Sequence, residues 1–379
     1  LIIPSMESNI LGIGTATPTH RFSQSDILGF MIKAHGLTGK DATRLEALYR
    51  ASGIRYRHSV LDDYGAAVDG FTFYPKNERL EPFPTIGPRM ERYRQEALPL
   101  CQKAVNDLEK VVGLKPNWQK EITHLVTVSC TGMYAPGLDL ELLKQLGLAS
   151  DVQRTAINFM GCYAAFNAMR VADNICRSHN AAQVLVVCVE LCTLHFQNQP
   201  TEDNLLANAL FADGAAAMLI SGKKKNGVNL TLANFHCDVD TTGENDMAWQ
   251  IGDFGFEMKL SAYVPDIVKG GIGKLTEKLL RQHGGSAAAV DYFAIHPGGK
   301  RILESIEEAI GIEKAQNWAA YEILREFGNM SSPTVLFVLK RIMERLSEKD
   351  DGKKVLSFAF GPGLTLESML LEINVERRA

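Results

Sequence analysis

One order of elements occurs twice along this 379-residue chain. In the first half, a helix predicted over 98–112 leads to an apolar strand over Thr123–Cys130. A second strand, Thr155–Met160, runs through Gly161-Cys162 into another helix, and the strand Val184–Val189 follows. In the second half, a helix predicted over 267–282 leads to the strand Asp291–Ile295. The turn Phe327-Gly328-Asn329 then precedes a helix opened by Ser331-Ser332-Pro333, before the strand Val355–Phe360. From Cys162 to Val184 is 22 residues, and from Ser331 to Val355 is 24. Strands that alternate with helices argue for an α/β architecture. Two pseudo-symmetric halves are expected, divided as 6–222 and 223–379. Ahead of the first repeat, Ile10–Gly14 reads as a strand, and Ser25–His35 and Asp41–Ser52 as helices. The prolines of residues 60–92 predict a long irregular excursion.

Composition narrows the function classes. With 40 Lys+Arg against 44 Asp+Glu, the net charge of −4 offers no broad attraction to a phosphate backbone, so no nucleic-acid partner is expected. The longest apolar stretch, around Val184–Val189, is far short of the ~18 residues of a membrane span, so no membrane partner is expected either. Seven cysteines, an odd number without CxxC spacing, read as reduced thiols in a cytoplasmic protein without a structural metal. Met6 is the expected start of the natural chain, with Leu1–Ser5 a remnant ahead of it.

The polar residues that could do chemistry stand at the ends of the repeated elements. Cys162 follows a β-like run and Gly161, and Ala165, Met169, Ala172 and Cys176 continue from it at helical spacing. It therefore lies at or near a helix N-terminus, where the dipole favours a thiolate. His296 ends a short apolar strand and precedes Pro297-Gly298-Gly299, the place where an interior α/β strand meets ligands. Asn329 sits in a turn ahead of a helix that Ser331 or Ser332 can cap, and its amide could donate to an oxyanion without changing charge. The strand that ends at Phe360 runs into Gly361-Pro362-Gly363, whose backbone N–H groups could face a carbonyl oxygen. Taken singly, each residue has a bland alternative: a buried cysteine, a turn histidine, a turn asparagine. Together they form a set for acyl transfer through a thioester.

Four motifs carry a resemblance to a known family. Asn158-Phe159-Met160-Gly161-Cys162-Tyr163-Ala164-Ala165, Ile295-His296-Pro297-Gly298-Gly299, Gly328-Asn329-Met330-Ser331-Ser332 and Phe360-Gly361-Pro362-Gly363-Leu364-Thr365-Leu366-Glu367 resemble the chalcone synthase group, the type III polyketide synthases. The likeness runs from about residue 9 to 373. It implies the thiolase-like duplicated fold, layered α-β-α-β-α, in a homodimer. It also implies that Cys162 takes a starter acyl group from coenzyme A, and that His296 stabilises the thiolate as an imidazolium. His296 and Asn329 would then hold malonyl-coenzyme A while carbon dioxide leaves. The chain grows by repeated condensation and cyclises to a pyrone, resorcinol or phloroglucinol-type product. No permanently bound cofactor is implied; the substrates are malonyl-coenzyme A and an acyl- or aroyl-coenzyme A starter. By the same resemblance Phe211 and Phe256 are gatekeepers between the coenzyme A tunnel and the cavity, Ser331 lines the cavity, and Arg55, Arg57 and Arg301 meet coenzyme A.

The departures from the plant members concern the cavity. Cys130, Cys192 and His195 stand where those members usually carry Thr, Met247 falls near a common Gly, and Ala207 and Ala359 replace glycines. His195 and Met247 are expected to fill cavity space, so the plant product is not carried over. Ala135 lacks the Met projection common in the loop that crosses the relatives' dimer interface. Two other chemistries use the same residues. A carrier-protein condensing synthase of the initiating kind normally has Asn-Thr-Ser-Ala-Ala where this chain has Asn329-Met330-Ser331-Ser332-Pro333. A cysteine hydrolase would release a free acid without consuming malonyl-coenzyme A.

Overall fold

The computed structural model describes residues 7–244, 246–261, 264–281 and 289–377. The expected start at Met6 and residues 1–5 lie outside the described residues, as does the expected helix end at Gln282. The first half runs β1 (Asn9–Ala16), β2 (His20–Ser23), α1 (Gln24–Ala34), α2 (Gly39–Ala51), β3 (Tyr56–Ser59), α3 (Ile86–Val112), β4 (His124–Ser129), α4 (Leu138–Leu146), β5 (Gln153–Asn158), α5 (Ala164–Ser178), β6 (Gln183–Leu191), α6 (Glu202–Leu210) and β7 (Asp213–Ser221). The second runs β8 (Gly227–Val239), β9 (Met247–Gly252), β10 (Gly255–Leu260), α7 (Val264–Arg281), β11 (Tyr292–Ile295), α8 (Lys300–Ile310), α9 (Trp318–Phe327), α10 (Thr334–Met343), β12 (Lys354–Gly361) and β13 (Thr365–Glu376).

Nine strands form one mixed sheet in the order β11-β12-β13-β8-β1-β7-β6-β4-β5. The two halves meet at β1 and β8, where Asn9 pairs with Thr231 and Ile10 with Leu230. On one side β5, β4 and β6 are parallel and β7 and β1 antiparallel; on the other β11 and β12 are parallel and β13 and β8 antiparallel. Thus β4, β6, β7 and β1 correspond to β11, β12, β13 and β8. Among the described residues β5 has no strand counterpart, and Asn329 instead makes a single parallel bridge to Phe211.

The layering follows from side-chain alternation. Along β6, Val184, Val186 and Cys188 point into one core, while Leu185, Val187 and Val189 point into another. In the same way, β12 sends Val355 and Ala359 one way and Leu356, Phe358 and Phe360 the other. The core shared by both halves encloses α5 and α10, whose apolar residues are almost all buried. The other two cores lie under α1, α3 and α4 and under α7 and α8. Five layers result, α-β-α-β-α, and strands covered on both faces read as unbroken apolar runs.

The predicted excursion over 60–92 ends early, because α3 begins at Ile86. Pro88 sits in its first turn, where a missing N–H costs nothing. Pro99 lies inside the helix. It removes one hydrogen bond, yet Tyr93, Ala97, Leu100, Cys101 and Ala104 on either side of it are buried against the sheet and keep the helix continuous. The predicted serine cap of α10 is absent. Thr334 instead bonds the Met330 N–H at 2.9 Å, and the Ser332 hydroxyl is drawn 2.7 Å from the buried carboxylate of Glu190.

Candidate active site

The ends of β5, β11 and β12 and the turn before α10 converge on one pocket. It is lined by Cys162, His296, Asn329, Ser331, Cys130, Cys192, Phe211, Met247, Phe360 and Pro362, together with Thr131, Gly161, Trp249, Met258, Leu260, Gly298 and Ile302. The space open to a water-sized molecule is only about 30 Å³.

Gly161 has φ +87, and a Cβ there would lie 2.4 Å from Pro362 Cδ. Gly361 is equally confined, its Cβ position 2.6 Å from the Tyr163 ring. The cysteine turn and the Gly-Pro-Gly turn therefore touch at a distance that only glycine permits. The Gly161 N–H points 3.0 Å from Cys130 Sγ, which fixes the turn to the end of β4. Cys162 is one residue ahead of Tyr163, which flanks the first residue of α5.

His296 continues β11, donating its N–H to Phe358 O at 2.8 Å. Its ring is fully buried, edge-on to Phe360, and neither ring nitrogen has a hydrogen-bond partner. Asn329 is held by its backbone, N–H to Leu210 O and C=O from Ala212 N–H, both at 2.9 Å. Its Oδ1 accepts the Ser331 N–H at 2.8 Å and its Nδ2 donates to Gly298 O at 3.3 Å, which leaves the second amide hydrogen for the pocket.

Burial dominates the electrostatics. It pushes the Cys162 thiol up to about 11, the nearby Glu190 carboxylate adds to this, and the side chains of Ser331 and Asn329 pull the other way. Burial likewise lowers His296 to about 3. Burial thus favours the uncharged form of each group taken by itself, and an imidazolium–thiolate pair has to offset that cost through its mutual attraction. Moving the thiol from 9.0 to about 11 corresponds to ~3 kcal/mol. A helix terminus returns only ~0.3–1 kcal/mol, ~2 at best.

Behind this pocket lies a second small chamber, sharing Cys192, Phe211, Trp249 and Met258 with it. Phe256 and His195, expected at the first cavity, line the second. His195 stacks on Phe256 at 4.3 Å; its Nε2 donates to Thr131 O at 2.7 Å, and its Nδ1 accepts the Phe256 N–H at 2.9 Å. Burial lowers it to about 3, so it is a neutral bolt.

A cavity of about 600 Å³ opens from the other side and shares Leu260, Gly298 and Ile302 with the catalytic pocket. Its basic residues are Arg44, Lys300 and Arg301. Arg301 is thus where an entering thioester would pass. Arg55 is exposed and does not line the cavity; its guanidinium lies over the Tyr56 ring at 5.1 Å. Arg57 is 3% exposed, and donates through Nη1 to the carbonyls of Asn208 and Phe211 and through Nε to Gln24. It braces Phe211 from within and lines the second chamber, not the 600 Å³ cavity.

Sequence reasoning missed Trp249, Arg44, Lys300 and Glu190. Glu190 carried a signal: it is the single charge in the apolar run Val184–Cys192. Its carboxylate accepts from the Cys130 N–H, the Thr131 hydroxyl and the Ser332 hydroxyl, so it ties both halves together beneath the pocket.

Residues 5–224 match the family model for the N-terminal domain of chalcone and stilbene synthases, and residues 236–374 match that for the C-terminal domain. The chain belongs to the chalcone and stilbene synthase family. An α-pyrone synthesis polyketide synthase-like protein, Pks18, of Mycobacterium tuberculosis is 32% identical over 375 residues, covering 98% of this chain and 92% of that one. Type III polyketide synthase C of Arabidopsis thaliana is 29% identical over 382 residues, 96% of this chain and 95% of that one. Among solved structures, PKS-I of the brown alga Ectocarpus siliculosus superposes with a TM-score of 0.89 at 31% identity, covering 97% of this chain and 98% of that one. The type III domain of Steely1 from Dictyostelium gives 0.87 at 29% identity, covering 98% and 100%. As a type III polyketide synthase the chain is a condensing transferase of the thiolase fold, acting on coenzyme A thioesters without a resident cofactor. No helix among the described residues is long and apolar enough to cross a membrane.

Proposed function

We propose that this synthase primes Cys162 with an acyl starter, extends it with malonyl-coenzyme A and releases a short polyketide that closes as an α-pyrone. The observation that carries this reading is the single pocket lined by Cys162, His296 and Asn329, with the 600 Å³ cavity leading to it. The thioester enters past Arg44, Lys300 and Arg301, whose charges suit the coenzyme A phosphates. Cys162 Sγ attacks the starter carbonyl as His296 takes its proton, and coenzyme A leaves as the thiol. In the next step His296 and the free amide hydrogen of Asn329 donate to the thioester oxygen of malonyl-coenzyme A. Carbon dioxide departs, and the negative charge that develops on that oxygen as the enolate forms is met by donors already in place. Apolar walls at Phe211 and Met258 disfavour the malonyl carboxylate and help it leave. The enolate carbon attacks the acyl–Cys162 carbonyl, and Cys162 departs as the leaving group.

The pyrone is supported by the small pocket and by the name of the Pks18 relative. Lactone closure asks only an enol oxygen to reach the terminal thioester carbonyl. We place the enzyme in the cytoplasm as a homodimer; the seven cysteines, all free, and the bare outer edge of β5 support this. The test is incubation with malonyl-coenzyme A and a panel of acyl and aroyl starters, with products read by mass. Pyrones are expected. Free acids with malonyl-coenzyme A unconsumed would replace this reading with hydrolysis.

A further inference from the structure

The catalytic pocket and the chamber behind it are each tiny, about 30 and 40 Å³, and one partition divides them. An acyl group on Cys162 has the entrance cavity on one side, occupied by coenzyme A each time an extender arrives. The partition, made of Trp249, Cys192, Phe211 and Met258, borders the other direction in which the pocket could enlarge.

Trp249 is the largest of the four and the most firmly held. It stands on β9, and its Nε1–H donates to Cys130 O at 2.8 Å across the pocket. Its ring packs edge-on against His195 and Phe256, at 5.9 and 5.8 Å between centroids, and tilted against Phe159 at 6.4 Å. His195 in turn bolts β10 to Thr131 O. The indole is therefore fixed by one hydrogen bond and three ring contacts, not merely parked in a gap.

We infer that Trp249 is the end wall that sets acyl length in this enzyme, restricting it to short starters, and that the chamber behind it is the space a longer chain would use. This rests on the reading of Cys162 as the acyl carrier. It adds which residue measures the chain and where the extra length would go.

The test compares saturated acyl-coenzyme A starters of increasing length, acetyl to dodecanoyl, with malonyl-coenzyme A. Wild type is expected to show a cut-off beyond which kcat/KM falls at least about tenfold, the scale of a methylene or two that does not fit. Trp249→Ala should move the cut-off to longer starters. Trp249→Phe retains most of the ring but loses the N–H, and should leave it in place. Ala207 lines the rear chamber and not the catalytic pocket, and it meets the partition only through its backbone carbonyl, which accepts the Phe211 N–H at 3.1 Å. Ala207→Leu alone should therefore leave short starters unchanged, and in the Trp249→Ala background it should restore the short cut-off. Should Trp249→Ala fail to fold, as judged by thermal melting, Met258→Ala opens the same partition, and the same shift and rescue are required of it. An unchanged cut-off in the opened variant, or no rescue by Ala207→Leu, overturns the inference. Absence of condensation with every starter in wild type would instead sink the synthase reading itself.

Discussion

At the scale of single residues, burial works against charge on both reactive groups. It pushes the Cys162 thiol up to about 11 and lowers the His296 imidazole to about 3. The two residues also separate the half-reactions. Cys162→Ala removes the acyl carrier but no donor to the enolate, so it is expected to abolish polyketide formation while malonyl-coenzyme A decarboxylation persists. His296→Ala should slow decarboxylation by about 10²–10³, the ~2.7–4 kcal/mol of a lost oxyanion donor. Carbon dioxide release and product mass, measured on both variants, check this; polyketide output from Cys162→Ala would remove Cys162 from the mechanism. Glu190 adds a pH dependence of stability. Burial raises its carboxyl to about 7 against 4.5 for the free group, although the bonds from Cys130, Ser332 and Thr131 oppose this. Between those values the folded chain binds one proton more than the unfolded chain. The stability this group contributes is full below about 4.5 and is lost as the pH rises through about 7. Glu190→Gln cannot lose that proton, so its stability relative to wild type should improve from pH 5 to pH 8 in denaturant melts. A difference independent of pH would refute the assignment.

At the scale of elements, the contact between the cysteine turn and the Gly-Pro-Gly turn is where the two halves of the chain build one site. A methyl group on Gly161 meets Pro362 at 2.4 Å and must also hold φ +87. Gly161→Ala is therefore expected to destabilise the fold by ~1–3 kcal/mol and to slow acylation of Cys162, read by thermal melting and by intact-protein mass after brief exposure to a starter. A variant with wild-type melting and loading would show that the contact is slack. The helix–strand repeat, the glycine before Cys162, the histidine at a strand end and the Asn turn could all be read from the sequence, because local pattern encodes them. The central helices α5 and α10 were legible for the same reason. What escaped were features set by long-range packing. The inward turn of Arg57 depends on carbonyls of residues 208 and 211, and nothing in Arg55-Tyr56-Arg57 distinguishes the exposed arginine from the buried one. Arg44 and Lys300 come to line one entrance only once α2 and α8 are docked. Trp249 sits in a short ribbon, and its role as a wall comes from a bond to Cys130 more than a hundred positions away. The start of α3 at Ile86 escaped because prolines at 84 and 88 look like breakers when the first-turn exception is not applied.

At the scale of the whole molecule, the two ends of the nine-stranded sheet are treated differently. β11 is mostly buried, with α9 and α10 packed against it. β5 carries an open outer edge, and Gln153, Arg154, Thr155, Ala156 and Asn158 are exposed. Such an edge is a template for another strand, and natural sheets usually blunt it with charge, proline or a covering element. Here Arg154 is paired with Asp139, and Thr155-Ala156-Ile157 offers no charge. A second copy related by a two-fold axis satisfies such an edge symmetrically, because the same strand serves both sides. The chain is therefore expected to run in solution at about twice its 41.7 kDa, by size-exclusion chromatography with light scattering. Thr155→Lys places like charges near each other across that axis and should shift the population to monomer. The consequence reaches the site, because β5 passes directly through Phe159 and Met160 to Gly161 and Cys162. Loss of the paired edge should therefore lower condensation in proportion to the monomer fraction. A fully active monomer would show that β5 is rigid without its partner, and a dimer that survives Thr155→Lys would place the interface on another face.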